Sequence, residues 1–440
     1  MRLRTFRGGI YPPAMKGTSQ RPIVDLPAPA HVVIPMQQHV GTTCSPLVKV
    51  GDTVKIGQKI GQCTTFISAP IHASISGKVK SIGAVDVANG NKVLAITIEN
   101  DFQNTLVEGI APPPPLEELS PAEIAELVRE AGIVGMGGAG FPTSVKLTPP
   151  ADVKIDMIII NAVECEPYLT CDQMIIIEEV NYMISGIRAI MKALGLDHAC
   201  IGIKINMEGA IDRLHEIILE EKGIDIVPLV PKYPQGEERQ LIYAVTGKEV
   251  PSGALPQDIG IAVFNAATAW SIGHLLADGL PLTERVITVG GAVKEEGNYR
   301  IKVGTTVDQV IEMVGGYTDT PKSIIVGGPM TGFGLYHTNI PLTKQNNGVI
   351  VLTEEHVKEE EMTECIHCGQ CVQVCPARIM PNRIAKLVKK ADVDGLEKFN
   401  VLDCRDCAAC AYVCPAKIPL LHYMKIGKNY VNEERAKNRA

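Results

Sequence analysis

Over the first hundred residues, apolar and polar positions alternate in short runs: "HVVIPMQQHVG", "PLVKVGDTVKIGQKIG", "APIHASISGKVKSIG" and "VLAITIEN". A period of two with a glycine turn after each run predicts a small all-β module. "APPPPLEELSP" reads as a proline-stiffened linker. From Ser120 the texture becomes α/β. Ser120, Pro121 and Glu123 supply an N-cap, a first-turn proline and a capping-box carboxylate for the amphipathic "AEIAELVREAG". "VKIDMIIINAVE" is a continuous apolar run, as a buried parallel strand requires. Two helix-then-strand segments, "NYMISGIRAIMKALGLDHACIGIKIN" and "AIDRLHEIILEEKGIDIVPLVPKYP", predict a layered α/β domain. "IGIAVFNAATAWSIGHLLADGL" has the length of a membrane span, but Asn265, Thr268, His274 and its small residues predict a buried helix of a soluble domain. After residue 283, "RVITVGGAVKEEGNYRIKVGTTVDQVIEMVGG" predicts strand, turn, strand and a helix opening at Thr306 to Asp308, a small β-grasp-like unit.

The 440 residues are too many for one ordinary domain, and 45% apolar residues are enough for several cores. A net charge of -7 without a basic stripe argues against nucleic acid as a partner. "MRLRTFRGGIYPP" has basic residues but no apolar h-region, so it is no secretory signal peptide, and a reducing cytoplasm is expected. With no transmembrane segment, contact with a membrane would run through partners.

The cysteines then narrow the chemistry. "CIHCGQCVQVCP" places Cys365, Cys368, Cys371 and Cys375 at C-x2-C-x2-C-x3-C-P, and "CRDCAACAYVCP" repeats the spacing at Cys404, Cys407, Cys410 and Cys414. This is the ferredoxin spacing for [4Fe–4S] clusters, in which the fourth cysteine of each run usually serves the other cluster. That pattern pairs Cys365, Cys368, Cys371 and Cys414 on one cluster, and Cys404, Cys407, Cys410 and Cys375 on the other. Zinc is the rival reading, but a structural zinc needs only four ligands. The long gap between the runs points to a helical rather than a compact ferredoxin scaffold. Cys44, Cys63, Cys165, Cys171 and Cys200 fall outside the motifs and are expected to pack as small apolar residues.

A second constellation lies in the α/β region. "GMGGAGFPTSVK" satisfies G-x-G-x-x-G at Gly135, Gly137 and Gly140, but a helix precedes it where a Rossmann fingerprint needs a strand. Such a loop still lets backbone N–H groups approach a phosphate or a flat ring, with Lys146 just beyond. "NAVECEP" puts Asn161, Glu164 and Glu166 at the C-terminal end of a strand, where open α/β sheets bind ligands. "YPQGEERQ" adds Tyr233, Gly236, Glu237 and Glu238, and "FNAAT" adds Asn265 and Thr268.

Two resemblances follow. The order "VKVGDTVKIGQKIG" then "APIHASISGKV" resembles the barrel-sandwich hybrid of biotinyl and lipoyl carriers, but the tip "CTTFIS" has no acceptor lysine, so an unmodified docking module is expected. "GMGGAGFPTSVK", "NAVECEP", "YPQGEE" and "FNAAT", in that order, resemble the FMN- and NADH-binding subunit of respiratory complex I. With the β module in front and the paired cysteine motifs behind, the chain resembles over nearly its whole length the C-subunit family of the Rnf complex, the ion-translocating ferredoxin:NAD oxidoreductase. The resemblance makes Gly135, Gly137, Gly138, Gly140 and Lys146 the flavin and phosphate loop and Phe141 a stacking partner for NADH. Asn161, Glu164, Gly236, Glu237, Asn265 and Thr268 would line the flavin, Tyr233 would belong to the same pocket, and Glu166 and Glu238 would face the nucleotide. Met136, Val163 and Pro149 depart from the complex I pattern, where an arginine, an aspartate and a second stacking phenylalanine stand.

The resemblance implies a multidomain α/β and α+β chain. Its expected parts are a barrel-sandwich hybrid (1–111), an FMN/NADH-binding α/β domain (116–282), a soluble-ligand-binding β-grasp domain (283–345) and a two-cluster ferredoxin-like domain (355–425). It implies two [4Fe–4S] clusters, non-covalent FMN, NAD(H) as substrate, and Rnf partners that include integral membrane subunits, with ferredoxin reached through one of them. The place would be the cytoplasmic face of the membrane. A nicotinamide exchanges electrons in pairs and an iron–sulfur cluster singly, so a flavin between them makes the combination coherent. The alternative is a non-catalytic electron-wiring adaptor that keeps the clusters without a working nucleotide site.

Overall fold

The computed structural model describes residues 3–219, 221–357 and 360–438. The period-two segments form two small antiparallel sheets. One is ordered His31–Pro35, Lys92–Asn100, Gly77–Asp86, Thr53–Val54, and the other Ser45–Pro46, Lys59–Gln62, Ile71–His72. Alternate side chains point inward, and Val32, Ile34, Ile60, Ile71, Ile75, Val79, Ile96 and Ile98 make a dry aliphatic core. The hairpin tip at Thr64–Ile67 is exposed.

The α/β segment forms a four-stranded parallel sheet ordered Ile224–Leu229, Ala199–Lys204, Met157–Ala162, Ile261–Asn265. The chain starts on Met157–Ala162, steps outward twice on one side, and returns to the other side for Ile261–Asn265. The topological switch point therefore lies between these last two strands, where open α/β sheets bind ligands. The expected capping box is formed: Glu123 N–H donates to Ser120 Oγ, and Ser120 N–H donates to Glu123 Oε2 at 2.8 Å. Helices Cys171–Leu194 and Ala266–Asp278 cross in close contact. A Cβ on Gly186 or Gly273 would collide with the backbone carbonyl of Ala269 or Tyr182. One expectation is corrected here. Residues 259–280 are not a single helix, because Ile261–Asn265 is a buried strand and the Asn265 side chain then caps the helix by accepting from Ala267 N–H at 2.9 Å. An apolar run alone does not separate a buried strand from a buried helix.

The third sheet has six strands, ordered Ile23–Asp25, Gly297–Lys302, Glu284–Gly291, Gly348–Leu352, Ser323–Val326, Phe333–Leu335, and carries the helix Val307–Met313 capped from Thr306. Two strands come from outside the expected 283–345. Gly348–Leu352 pairs in parallel with Glu284–Gly291 in the middle of the sheet, and Ile23–Asp25 adds an edge. The first described residues, within the expected 1–111, reach beyond the β-module sheets. They form a strap over other domains: Arg4 N–H donates to Pro228 O (3.3 Å), Ile10 N–H to Tyr233 O (2.8 Å) and Gly9 N–H to Val374 O (2.8 Å).

The cysteine-rich segment is helical, built on Pro381–Val388, Val393–Lys398 and Leu420–Lys437 with one-turn helices at Gln370–Gln373 and Ala409–Tyr412. Among the described residues 360–438 there is no strand, so the ferredoxin likeness lies in the cysteine spacing and not in the scaffold. Its halves repeat: left-handed backbone at His367, Gly369 and Arg378 recurs at Asp406, Ala408 and Lys417. Among the described residues no helix is long and apolar enough to cross a membrane.

Lys344 ties three of these units together. It is 1% exposed, and its Nζ donates to Pro70 O of the β module (2.8 Å) and to Gly132 O of the α/β domain (2.7 Å). Burial lowers its pKa to about 7. The two N–H groups of a neutral amine suffice for both carbonyls. An unfolded lysine titrates near ~10.4, so between about pH 7 and 10 the unfolded chain binds a proton that the folded chain lacks, and this residue's contribution rises with pH. Lys344→Met leaves both carbonyls unpaired and is expected to cost about 2 kcal/mol. In urea unfolding the deficit should widen from about pH 7 to 9; a constant deficit would contradict the assignment.

Candidate functional site

The glycine-rich segment is the tip of a short hairpin, closed by Gly135 N–H to Phe141 O (2.8 Å) and Thr143 N–H to Ile133 O (3.1 Å). The helix Pro121–Glu130 precedes it, and the tip lies over the switch point of the parallel sheet. There Asn161 and Asn265 are register partners at the C-terminal ends of adjacent strands. A Cβ on Gly137 would stand 3.0 Å from Asn265 Nδ2, and Met136 N–H donates to Thr268 Oγ1 at 3.0 Å. Gly137 and Gly138 are exposed. Gly140 is left-handed, with φ 72°, and a side chain there would collide with Gln345; its carbonyl accepts from Val40 N–H of the β module at 3.2 Å. Three domains thus meet at this loop.

Asn161 Nδ2 donates to Gly236 O at 2.8 Å and fixes the "YPQGEE" turn against the strand end. Lys146 Nζ donates to Val263 O (2.9 Å) and pairs with Glu238 Oε1 (3.2 Å). The loop glycines, Lys146, Asn161, Gly236, Glu238, Asn265 and Thr268 therefore converge, with half-buried Phe141 on the returning arm of the hairpin.

The other candidates are already engaged. Buried Glu164 caps the long helix, accepting from Asp172 N–H (3.0 Å), Gln173 N–H (3.2 Å) and the Cys171 thiol (3.3 Å). Glu237 caps Glu238–Thr246 through Gln240 N–H at 3.2 Å, and burial raises its pKa against the pull of Arg405. Glu166 accepts from Met330 N–H (3.0 Å) and Thr331 Oγ1 (2.6 Å), and burial raises its pKa too. Tyr233 is buried; its hydroxyl donates to Cys407 O at 2.8 Å and stands 3.5 Å from Glu166 Oε1. Two departures from the complex I pattern, Met136 and Val163, turn inward as core side chains.

Four charged neighbours of this pocket lie in no motif. Lys16, from the strap, donates to the carbonyls of Glu164 (3.1 Å), Glu166 (2.9 Å) and Leu169. Lys204 is buried at the end of its strand, and burial with the nearby Lys16 charge lowers its pKa to about 8. Asp172 accepts from Asn265 Nδ2 at 2.7 Å; burial, then the Glu164 charge, raises its pKa to about 6. Arg285, which opens the apolar run "RVITV", reaches under the loop. The only sequence signal for these was a charged residue amid apolar or loop neighbours.

In the helical domain, one cavity is lined by Cys375, Cys404, Cys407 and Cys410, and another by Cys365, Cys368, Cys371 and Cys414. Each cavity takes three cysteines from one run and the last from the other. Four thiols around one cavity are a donor set that fits an iron–sulfur cluster. Cys44, Cys63, Cys165, Cys171 and Cys200 line neither. The first cavity is on the side facing the α/β domain, where Tyr233 bonds the Cys407 carbonyl, Ser252 bonds Asp403 (2.8 Å) and Arg378 pairs with Glu249 (2.7 Å).

Comparison with known proteins finds four family matches along the chain. Family models match as the RnfC barrel sandwich hybrid domain over residues 4–103, the Nuo51 FMN-binding domain over 128–274, the SLBB domain over 286–334 and the 4Fe-4S dicluster domain over 357–415. The chain is 42% identical to the C subunit of the Na(+)-translocating ferredoxin:NAD(+) oxidoreductase complex of Acetobacterium woodii, covering 98% of both chains. It is also 42% identical to the C subunit of the proton-translocating ferredoxin:NAD(+) oxidoreductase complex of Clostridium ljungdahlii, over 91% of this chain and 88% of that one. A solved NAD+-reducing [NiFe]-hydrogenase in the air-oxidized state shares the fold with TM-score 0.51 and 18% identity, over 71% of this chain and 64% of that one.

Because Lys16 alone holds three carbonyls of the "ECEPYL" turn, Lys16→Met is expected to cost about 2 kcal/mol, the scale of hydrogen bonds to a charged donor. Limited proteolysis should show earlier cleavage within the turn, with iron content unchanged. Unaltered unfolding and cleavage would mean that the strap does not support the site.

Proposed function

The chain belongs to the C-subunit family of ion-translocating ferredoxin:NAD(+) oxidoreductase complexes, and on that premise we propose how its FMN-binding and 4Fe-4S dicluster domains divide the work. FMN would lie without a covalent bond over Gly135, Gly137, Gly138 and Gly140, with its phosphate at Lys146 and its surroundings formed by Asn161, Glu164, Gly236, Glu237, Asn265 and Thr268. NADH would enter beside Phe141, facing Glu166 and Glu238. Cys375, Cys404, Cys407 and Cys410 would hold one [4Fe–4S] cluster and Cys365, Cys368, Cys371 and Cys414 the other. When bound, FMN takes a hydride's electron pair and gives electrons up singly, and the clusters carry them one at a time.

The observation that supports this reading is the contact chain from Glu166 through Tyr233 to Cys407, 3.5 Å and 2.8 Å long, which links the carboxylate here assigned to NADH with a residue lining the first cavity. Gly137 and Gly138 are exposed, so their backbone can approach a ligand with no side chain between. Lys146 and Glu238 hold each other, so the phosphate-directed cation and the nucleotide-directed carboxylate share one geometry. Tyr233 keeps the cluster domain docked, and its buried phenol stays protonated because burial pushes its pKa far up. Exposed Cys368 and Ile366 put the second cavity on the outer face, toward the next carrier. The assembly would sit on the cytoplasmic face of the membrane, against integral membrane subunits that pass electrons to or from ferredoxin.

Lys146→Ala is expected to weaken FMN binding roughly 10- to 100-fold, the scale of a lost charge-assisted contact, and to abolish NADH oxidation with iron unchanged. Glu166→Ala should slow NADH reduction of bound FMN with flavin retained. Normal flavin content and NADH reduction in Lys146→Ala would favour the adaptor. In anaerobically prepared protein, Cys407→Ser should lower iron from about eight to about four per chain; stoichiometric zinc in the wild type would defeat the cluster assignment.

A further inference from the structure

Arg285 lies in the seam between the residues matched by the FMN-binding model, 128–274, and by the SLBB model, 286–334. It stands on the strand Glu284–Gly291 of the third sheet, is 1% exposed, and points beneath the glycine-rich loop. Its Nε donates to Asn346 O at 3.1 Å and its Nη2 to Met136 O at 3.3 Å, while its buried Nη1 has no partner. Its charge bears on Asp172 and Cys171. Asp172, 7% exposed on the first turn of the long helix, accepts from Asn265 Nδ2 at 2.7 Å. That same amide nitrogen underlies Gly137. One cation and one anion, from two domains, therefore stand a single contact behind the loop.

Peptide stereochemistry makes this consequential. The Met136 carbonyl and the Gly137 N–H belong to one planar trans unit and point in opposite directions. A guanidinium that holds the carbonyl on the buried side turns the Gly137 N–H toward the exposed side. Met136 N–H is held in turn by Thr268, so the residue is fixed at both ends. Reduction of a flavin adds negative charge, which a nearby cation favours and a nearby anion opposes.

We propose that Arg285 and Asp172 are positioning residues of the flavin site: Arg285 sets the direction of the Gly137 amide, and the opposed charges of the two side chains set how readily the bound flavin is reduced. This rests on the reading that the loop holds FMN. The β-grasp domain is then part of the redox centre through its first strand, and a change in how that domain packs would alter the flavin without touching a residue that contacts it.

The test uses the full chain purified anaerobically, with the FMN reduction potential measured by spectroelectrochemical titration and FMN affinity by fluorescence. Asp172→Asn keeps size and hydrogen bonding to Asn265 and is expected to move the potential positive. Arg285→Met should move it negative and weaken FMN binding at least about tenfold, since the amide is no longer aimed. Arg285→Lys restores the charge without the fork and should recover the potential more fully than the affinity. Asp172 faces Glu164, Cys171, Arg285 and Lys16, and burial with the Glu164 charge holds its proton to about pH 6. The gap between wild type and Asp172→Asn should accordingly close as pH falls from about 8 to 5.5. A purely structural role would not give shifts of opposite sign, so shifts of one sign, or none, overturn the proposal. If Arg285→Met does not fold, Asp172→Asn decides alone, and an unchanged or negative shift overturns it. A wild type that binds no flavin defeats the underlying reading instead, a result distinct from flavin bound at an unmoved potential.

Discussion

Long basic side chains, buried or half-buried, that donate to main-chain carbonyls across domain seams hold this molecule together. Lys344 reaches Pro70 and Gly132, Lys16 reaches Glu164, Glu166 and Leu169, Arg285 reaches Met136 and Asn346, and Lys232 reaches Phe6 on the strap. In each case a long stem crosses the seam and the head meets oxygens that no strand or helix has used. Carbonyl dipoles compensate a charge less completely than a carboxylate does, and burial accordingly lowers the pKa of Lys344 and Lys232. These staples work only when both sides of a seam are in place. They couple the modules more tightly than apolar contact alone would.

This coupling accounts for the bareness of the glycine loop. A tip whose exposed residues are two glycines and an alanine has few side chains of its own to hold it, and each glycine adds conformational freedom. Order comes from outside: Val40 of the β module on Gly140, Thr268 and Arg285 on Met136, and Asn265 under Gly137. The loop keeps its open backbone face because neighbours from three domains hold its other face.

What was legible in the sequence was local. The Ser120–Glu123 capping box, the two cysteine runs, the glycine tip after a helix and the strand that carries Asn161 each occupy a short window, and each forms as its residues require. What was not legible depends on distant partners. Ile261–Asn265 read as helix because a buried strand and a buried helix are equally apolar. Gly348–Leu352 and Ile23–Asp25 are too short to declare which sheet they join. Lys16, Asp172 and Arg285 carry no motif, because their importance comes from what the folded chain puts above them. Glu164, Glu237 and Tyr233 were read from the sequence as pocket candidates, and the structure shows them as a helix cap, a second helix cap and a bolt on the cluster domain.

The strap has a consequence for how the molecule is made. The partners of residues 3–25 are Pro228, Tyr233, the sheet strand at Asn298–Arg300 and Val374, all distant from the strap in sequence. Such contacts close loops of about half the chain or more, and their closure entropy makes them late to form. The β module and the parallel sheet can fold as they appear, while the leading segment waits as an open strand with unpaired amides. The cysteine domain is what the strap finally closes against, through Gly9 and Val374. Docking of the strap on the helical domain therefore waits on a segment hundreds of residues away, and the two are joined only when both have folded.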